Sequence, residues 1–131
     1  MRKSLCLLFL LSLIAFPNLS LAQYEQIERI ISFDSEINIS EDASMVVIEK
    51  IQVYANGNKI KRGIYRDFPT KYKDDYGNNI DIRFDVLEVI RDGNNESYHT
   101  EKLSNGVRVY LGRSDYYLPA GEYTYTIKYI R

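Results

Sequence analysis

Leu118-Pro119-Ala120-Gly121-Glu122-Tyr123-Thr124-Tyr125-Thr126-Ile127-Lys128-Tyr129-Ile130 is the stretch that decides the fold. From Tyr123 onward it alternates strictly. Tyr123, Tyr125, Ile127 and Tyr129 fall on one side, and Thr124, Thr126 and Lys128 on the other. A period of two marks a half-buried strand, and Tyr, Ile and Thr suit a pleated surface.

The same pattern recurs upstream. Between Ile30 and Ile39, Ile31, Phe33, Ile37 and Ile39 share a face, and Ser40-Glu41-Asp42-Ala43-Ser44 then reads as a turn. Met45 to Tyr54 places Met45, Val47, Ile51 and Val53 on one side and Val46, Ile48 and Tyr54 on the other. Asn56-Gly57-Asn58 breaks the alternation, and the polar stretch to about Asn79 reads as irregular. It contains Pro69, which has no N–H to give a ladder, so this part is expected at a crossing or an edge. Ile80, Ile82, Phe84 and Val86 alternate until Leu87 and Val89 take over the phase, which predicts a β-bulge near Val86. Asp92-Gly93-Asn94-Asn95 predicts a hairpin turn, Glu96 to Lys102 a short strand, Asn105-Gly106 a second turn and Val107 to Leu111 another strand. No stretch beyond the N-terminal segment shows the 3.6-residue spacing of a helix. Short strands with turn chemistry between them predict an all-β protein, specifically an antiparallel β-sandwich. Gly121 two residues before Tyr123 is similar to the tyrosine corner of immunoglobulin-like domains, which makes the expected sandwich immunoglobulin-like.

The N-terminus has a different composition. Arg2 and Lys3 precede an apolar run from Leu5 to Phe16, Pro17-Asn18 ends it, and Ser20-Leu21-Ala22 supplies small residues before Gln23. That order predicts a secretory signal peptide over 1–22, cleaved between Ala22 and Gln23. A helix of about 12 residues spans roughly 18 Å, short of the ~30 Å hydrocarbon core, which argues against an uncleaved anchor. Residues 23–131 then form the sandwich domain. It is expected to be incomplete at its C-terminus, because the chain stops at Arg131, directly after its best strand. Cys6 leaves with the signal, so the exported part has no disulfide, thiol nucleophile or thiolate ligand. Removing Arg2 and Lys3 from the 17 basic residues leaves 15 against 18 acidic ones. With no basic block, nothing supports nucleic-acid binding.

Catalytic groups are scarce. His99 is the single histidine and stands in a polar strand. One His without Cys cannot make an ordinary zinc site, and no Gly-x-Ser-x-Gly elbow accompanies it. Asp92 to Glu96 lacks the spacing of an EF-hand loop, and nothing selects one carboxylate pair for glycoside hydrolysis. We therefore expect no enzyme activity, no metal and no cofactor. All 12 tyrosines follow the signal segment. Tyr72, Tyr76, Tyr116 and Tyr117 read as loop residues, and Tyr116-Tyr117 is the candidate aromatic surface, able to stack on sugars or a partner protein. Tyr110, Tyr123, Tyr125 and Tyr129 read as core or sheet-face residues.

Arg62-Gly63-Ile64-Tyr65-Arg66-Asp67-Phe68-Pro69 is the most specific motif. Taken with Glu28-Arg29-Ile30, Val47-Ile48-Glu49-Lys50-Ile51 and Gly121-Glu122-Tyr123-Thr124-Tyr125, it resembles domain-of-unknown-function family 2207, a bacterial family of predicted membrane proteins. The resemblance implies an extracytoplasmic β domain that precedes transmembrane helices, on the periplasmic or extracellular side of the envelope. This chain lacks those helices, so membrane attachment is expected through a segment absent from it. Within the motif, Gly63 permits a turn, Arg66 can grip carboxylates or carbonyls in a planar fork, and Asp67 can cap the backbone before Phe68-Pro69. Gly63, Ile64, Tyr65, Arg66, Asp67 and Pro69 form the candidate interaction loop, as structural clamp or recognition site. The expected function is that of a non-enzymatic extracytoplasmic interaction or sensory domain, its partner a protein or envelope component. The alternative is a carbohydrate-binding β-sandwich module that uses the loop tyrosines.

Overall fold

A computed structural model describes residues 26–131. The expected signal segment 1–22 and its cleavage point at Ala22 and Gln23 lie outside the described residues. The described chain is all strand and turn. In order it forms β1 (Arg29–Ile39), β2 (Met45–Ala55), β3 (Gly63–Pro69), β4 (Lys71–Lys73), β5 (Asn79–Asp81), β6 (Asp85–Arg91), β7 (Asn94–Asn95), β8 (Tyr98–Leu103), β9 (Gly106–Gly112) and β10 (Gly121–Ile130). A five-stranded sheet runs β1-β2-β10-β6-β7, a three-stranded sheet β3-β9-β8, and β4 pairs with β5. Every pairing is antiparallel.

The alternation that marked β10 is what builds the core. Its register against β2 sets Tyr125 beside Ile51, Ile127 beside Glu49 and Tyr129 beside Val47. The apolar members of this face are buried together with Phe68 of β3, Val89 of β6, and Val109 and Leu111 of β9. The core therefore lies where the three-stranded sheet covers the middle of the larger one. Each such side chain contributes ~1.5–3 kcal/mol on full burial. Phe68 stacks on Phe84 at 4.5 Å and meets Tyr129 at 4.8 Å between ring centroids. At the start of β10, the Tyr123 hydroxyl donates to the Pro119 carbonyl at 2.7 Å.

Turn chemistry acts where the sequence placed it. Asp92 (φ 49°) and Gly93 (φ 81°) form the two-residue β6–β7 hairpin. The Asp42 carboxylate accepts from the Ser44 N–H and hydroxyl in the β1–β2 turn. The bulge expected near Val86 is present. Lys128 pairs with Glu88 and Tyr129 with Val86, so Leu87 is skipped.

Other expectations need correction. Gly63–Pro69 does lie at a sheet edge, but as a strand paired over its whole length with β9 and not as an irregular loop. Pro69 is tolerated because it closes the strand at the sheet edge. The strand expected from Glu96 starts at Tyr98, because Asn94–Asn95 still belong to the preceding hairpin. Tyr72 lies in β4, not in a loop. In β1, Ile31 falls at a register shift, which takes it out of phase with Phe33, Ile37 and Ile39.

Candidate functional site

The Gly63–Pro69 strand works on two faces. Successive side chains of a strand point to opposite sides, so Ile64, Arg66 and Phe68 face the core while Tyr65 and Asp67 face outward.

Inward, Arg66 meets Glu49, a carboxylate in the middle of the apolar face of β2 whose side chain is only 6% exposed. Arg66 Nε donates to Glu49 Oε2 at 2.8 Å and Nη2 to Oε1 at 2.9 Å. The Tyr129 hydroxyl donates to the same Oε1 at 3.1 Å. The planar guanidinium matches the carboxylate with two parallel bonds, which an ammonium cannot do. Hydrogen bonding to Glu49 raises the pKa of Arg66 above its usual value, against the opposing effect of burial. Burial and the Glu49 charge push the Tyr129 phenol up to about 12. The Arg66 guanidinium also lies 5.2 Å from the Phe33 ring and 5.3 Å from the Phe68 ring, so it ties β1, β2 and β3 together.

Outward, cross-strand register builds two rows. Tyr65 pairs with Tyr110 and Tyr110 with His99; Asp67 pairs with Arg108 and Arg108 with Glu101. The His99 and Tyr110 rings stack at 4.5 Å with 13° between planes, and Tyr65 packs against Tyr110 at 5.9 Å. Arg108 Nε and Nη2 donate to the two Asp67 oxygens at 2.6 and 2.8 Å, and its guanidinium lies 4.1 Å from the Tyr65 ring centre. These hydrogen bonds lower the pKa of Asp67. The Tyr110 hydroxyl donates to Glu101 at 2.9 Å. The result is a solvent-facing aromatic platform whose side chains are already held in place, so little side-chain freedom remains to be lost on binding.

The platform ends at an open cleft of about 310 Å³. Its floor is backbone, because Gly63 and Gly112 are cross-strand partners with φ of 141° and 136°. A Cβ at Gly63 would stand 1.9 Å from the Leu111 carbonyl oxygen, and one at Gly112 2.1 Å from that of Arg62. Lys59, Lys61, Arg62 and Arg113 line the cleft beside Tyr65, Tyr110 and His99. Arg113 is held by Asp115, and Arg62 lies 4.3 Å over the Tyr117 ring and donates to its hydroxyl at 2.6 Å. The arrangement suits a ligand with a flat face and a negative group. Among the described residues no cluster of His, Cys, Asp and Glu has the geometry to hold a metal ion.

The expected site residues separate accordingly. Gly63, Ile64 and Tyr65 line the cleft, Arg66 is internal, Asp67 orders the platform, and the Pro69 carbonyl accepts from Arg131 at 2.7 Å and from Tyr72 at 3.0 Å. Tyr116 and Tyr117 are in the loop before β10 and are exposed, but Tyr116 is not in the cleft and Tyr117 reaches it only through Arg62. Sequence reasoning missed Glu49, Arg108 and Tyr110 as partners of the motif. One signal for Glu49 was available: a carboxylate in phase with Val47 and Ile51 requires a buried cation.

These features define an all-β domain organised around one β3 motif. A family described as Predicted membrane protein (DUF2207) N-terminal domain matches residues 29–130, and the chain belongs to that family. It is 30% identical over 131 residues to the uncharacterized protein YciQ of Escherichia coli (strain K12), covering 97% of this chain. The chain spans 21% of that curated relative's length. In fold it is similar to native yeast leukotriene A4 hydrolase, with TM-score 0.56 and 17% identity over 79% of this chain and 14% of the enzyme. A second structure of that enzyme from Saccharomyces cerevisiae gives 0.51 and 17%, over 79% of this chain and 15% of the other. No helix among the described residues is long and apolar enough to cross a membrane.

Proposed function

We propose that this domain is a non-enzymatic interaction or sensory module on the outer side of a bacterial membrane, and that it binds through the Tyr65–Tyr110–His99 platform. One observation carries the reading. A row of aromatic side chains, with Tyr65 and His99 exposed and Tyr110 half-buried between them, is stacked and tied down by Arg108, Asp67 and Glu101. The basic-apolar-small order of residues 1–22 and the family description support the outer side and the membrane context. The Tyr123 to Pro119 hydrogen bond supports the immunoglobulin-like form of the sandwich.

A photo-crosslinking residue at position 65, introduced into the protein in its host envelope, tests this. A discrete adduct is expected from position 65, lost on Tyr110→Ala, and absent from position 76, whose tyrosine is 91% exposed and lies between β4 and β5, outside the sheet that carries the platform. Equal labelling at both positions overturns the assignment of the face. Turnover of any envelope polysaccharide or peptide by the purified protein overturns the non-enzymatic reading.

The carbohydrate-binding reading is favoured by the flat faces of Tyr65 and Tyr110, on which a sugar ring can stack, a place other than Tyr116-Tyr117. A glycan array separates the two. Sugar binding lost in Tyr65→Ala/Tyr110→Ala and kept in Tyr116→Ala/Tyr117→Ala assigns a sugar ligand to the platform.

A further inference from the structure

The edges of the sheets are not alike. Exposed edge strands invite pairing with other chains, and proteins blunt them by shortness, proline or charge. Here β7 has two residues, β3 ends on Pro69, and β8 carries Glu101 and Lys102. On β1 the charges, Arg29, Asp34 and Glu36, stand on one face alone, and the strand carries a single register shift between Ile30 and Ser32. It is 11 residues long, contains neither Pro nor Lys, and has β2 as its single neighbour among the described residues. The unpaired side of the strand therefore presents a row of backbone N–H and C=O groups over ~33 Å or more.

The side chains of β1 make the edge specific. Register against β2 sets Ile30 beside Val53, Phe33 beside Ile51, Ile37 beside Val47 and Ile39 beside Met45, all on the core side of the sheet. Yet the three-stranded sheet does not extend over them. Ile30 is 64%, Phe33 47%, Ile37 57% and Ile39 72% exposed. The opposite face of the same strand carries Asp34 and Glu36, neither in an ion pair among the described residues. The core side is thus an unfinished apolar ledge, and the outer side carries Asp34 and Glu36 along its regular part, with Arg29 beyond the register shift and Lys50 of β2 opposite Asp34.

We infer that β1 is a strand-addition site for an extended segment of another polypeptide in which apolar residues alternate with Lys or Arg. Backbone pairing extends the five-stranded sheet by one strand. The apolar residues of the added strand continue the ledge over Ile30, Phe33, Ile37 and Ile39, and its cations stand opposite Asp34 and Glu36. Main-chain bonds supply affinity in this mode and the alternating side chains supply specificity. Against a second copy of the chain, antiparallel β1–β1 pairings centred on Asp34, Ser35 or Glu36 set acid opposite acid, which is unfavourable, whereas pairings centred on Phe33 or Ile37 do not, so sedimentation decides between such a dimer and an added segment. This inference does not depend on the platform.

An 11-residue peptide alternating Val and Lys, fluorescently labelled, probes the edge by anisotropy, with a Val/Glu peptide as comparison. Saturable binding of the Val/Lys peptide and not of the Val/Glu peptide is expected. Asp34→Lys/Glu36→Lys should invert that preference. Ile37→Asp/Ile39→Asp, at two exposed positions, should weaken binding by about tenfold or more at unchanged circular dichroism and melting temperature. Tyr110→Ala should leave it unchanged, which keeps this site separate from the platform. Absence of saturable binding by the parent protein overturns the inference, as does equal binding of both peptides. A concentration-dependent dimer in sedimentation that is abolished by Ile37→Asp/Ile39→Asp also overturns it, since it would assign the edge to a second copy.

Discussion

Replacing Arg66 by Ala removes both bonds to Glu49 and leaves a carboxylate that is 6% exposed with, among the described residues, only the Tyr129 hydroxyl as side-chain partner. Breaking a buried pair by removing one member typically costs ~3–5 kcal/mol, because the remaining charge stays desolvated. The Arg66 side chain is 32% exposed, so water reaches part of the pair and the expectation falls to about 2–4 kcal/mol. A domain of this size holds only ~5–15 kcal/mol in total. The loss translates to a fall in melting temperature on the order of 10–25 °C, and in urea to a midpoint lower by about 1–3 M. Arg66→Lys keeps the charge but not the fork, and should lose about 1–2 kcal/mol. Changing both partners, Arg66→Leu with Glu49→Met, should cost much less than Arg66→Ala, since no charge is then left in the core. Urea melts of the parent and these variants decide the matter. A loss under ~1 kcal/mol in Arg66→Ala, below the range of a buried pair, refutes the clamp.

Gly112→Ala should fail to accumulate in folded form or should melt far below the parent, because its Cβ would meet the Arg62 carbonyl oxygen at 2.1 Å in a backbone region that side chains resist; Gly57→Ala, whose Cβ meets nothing, is the control for positive φ without a clash. The Tyr125 and Tyr129 phenols each sit at about 12 in the folded protein, pushed up first by burial, against an ordinary value of 10.0. A group raised on folding stabilises below its unfolded value and loses that contribution as pH rises through its folded one. Stability should therefore lose no phenol contribution up to about pH 10 and then fall between about pH 10 and 12, with phenolate absorbance appearing together with unfolding. Tyr129→Phe should flatten part of that fall.

Where alternation was strict, the fold was legible. Tyr125, Ile127 and Tyr129 are buried because a period of two against a covered face leaves no other choice, and the phase switch at Leu87 could only be a bulge. The motif strand was not legible as a strand. Gly63, Arg66, Asp67 and Pro69 are poor strand formers singly, and β3 is stabilised by its partners Val109 and Arg108, more than 40 positions away in β9. Pairing of that range is tertiary and leaves no local trace. The same holds for the platform, since His99, Tyr110 and Tyr65 become neighbours only through register. The exposure of β1 was also hidden. Its apolar face reads like any core strand, and only the width of the covering sheet shows that Phe33, Ile37 and Ile39 are left outside.

The order β1-β2-β10 has a mechanical consequence. β1 and β10 run in the same direction on either side of β2, with Arg29 opposite Tyr54 near one end and Ile130 opposite Val46 at the other. Tension applied between Arg29 and Ile130 drags the two flanking strands in opposite directions along β2. Ladder hydrogen bonds lie perpendicular to the strands, so such a pull loads both ladders in shear, with every bond sharing the force at once. The ladder between β6 and β7, two residue pairs long and away from this line, bears none of it. The sheet is thus strongest along the axis on which the polypeptide enters and leaves it, and a force-extension trace should show one high rupture event in place of successive small ones.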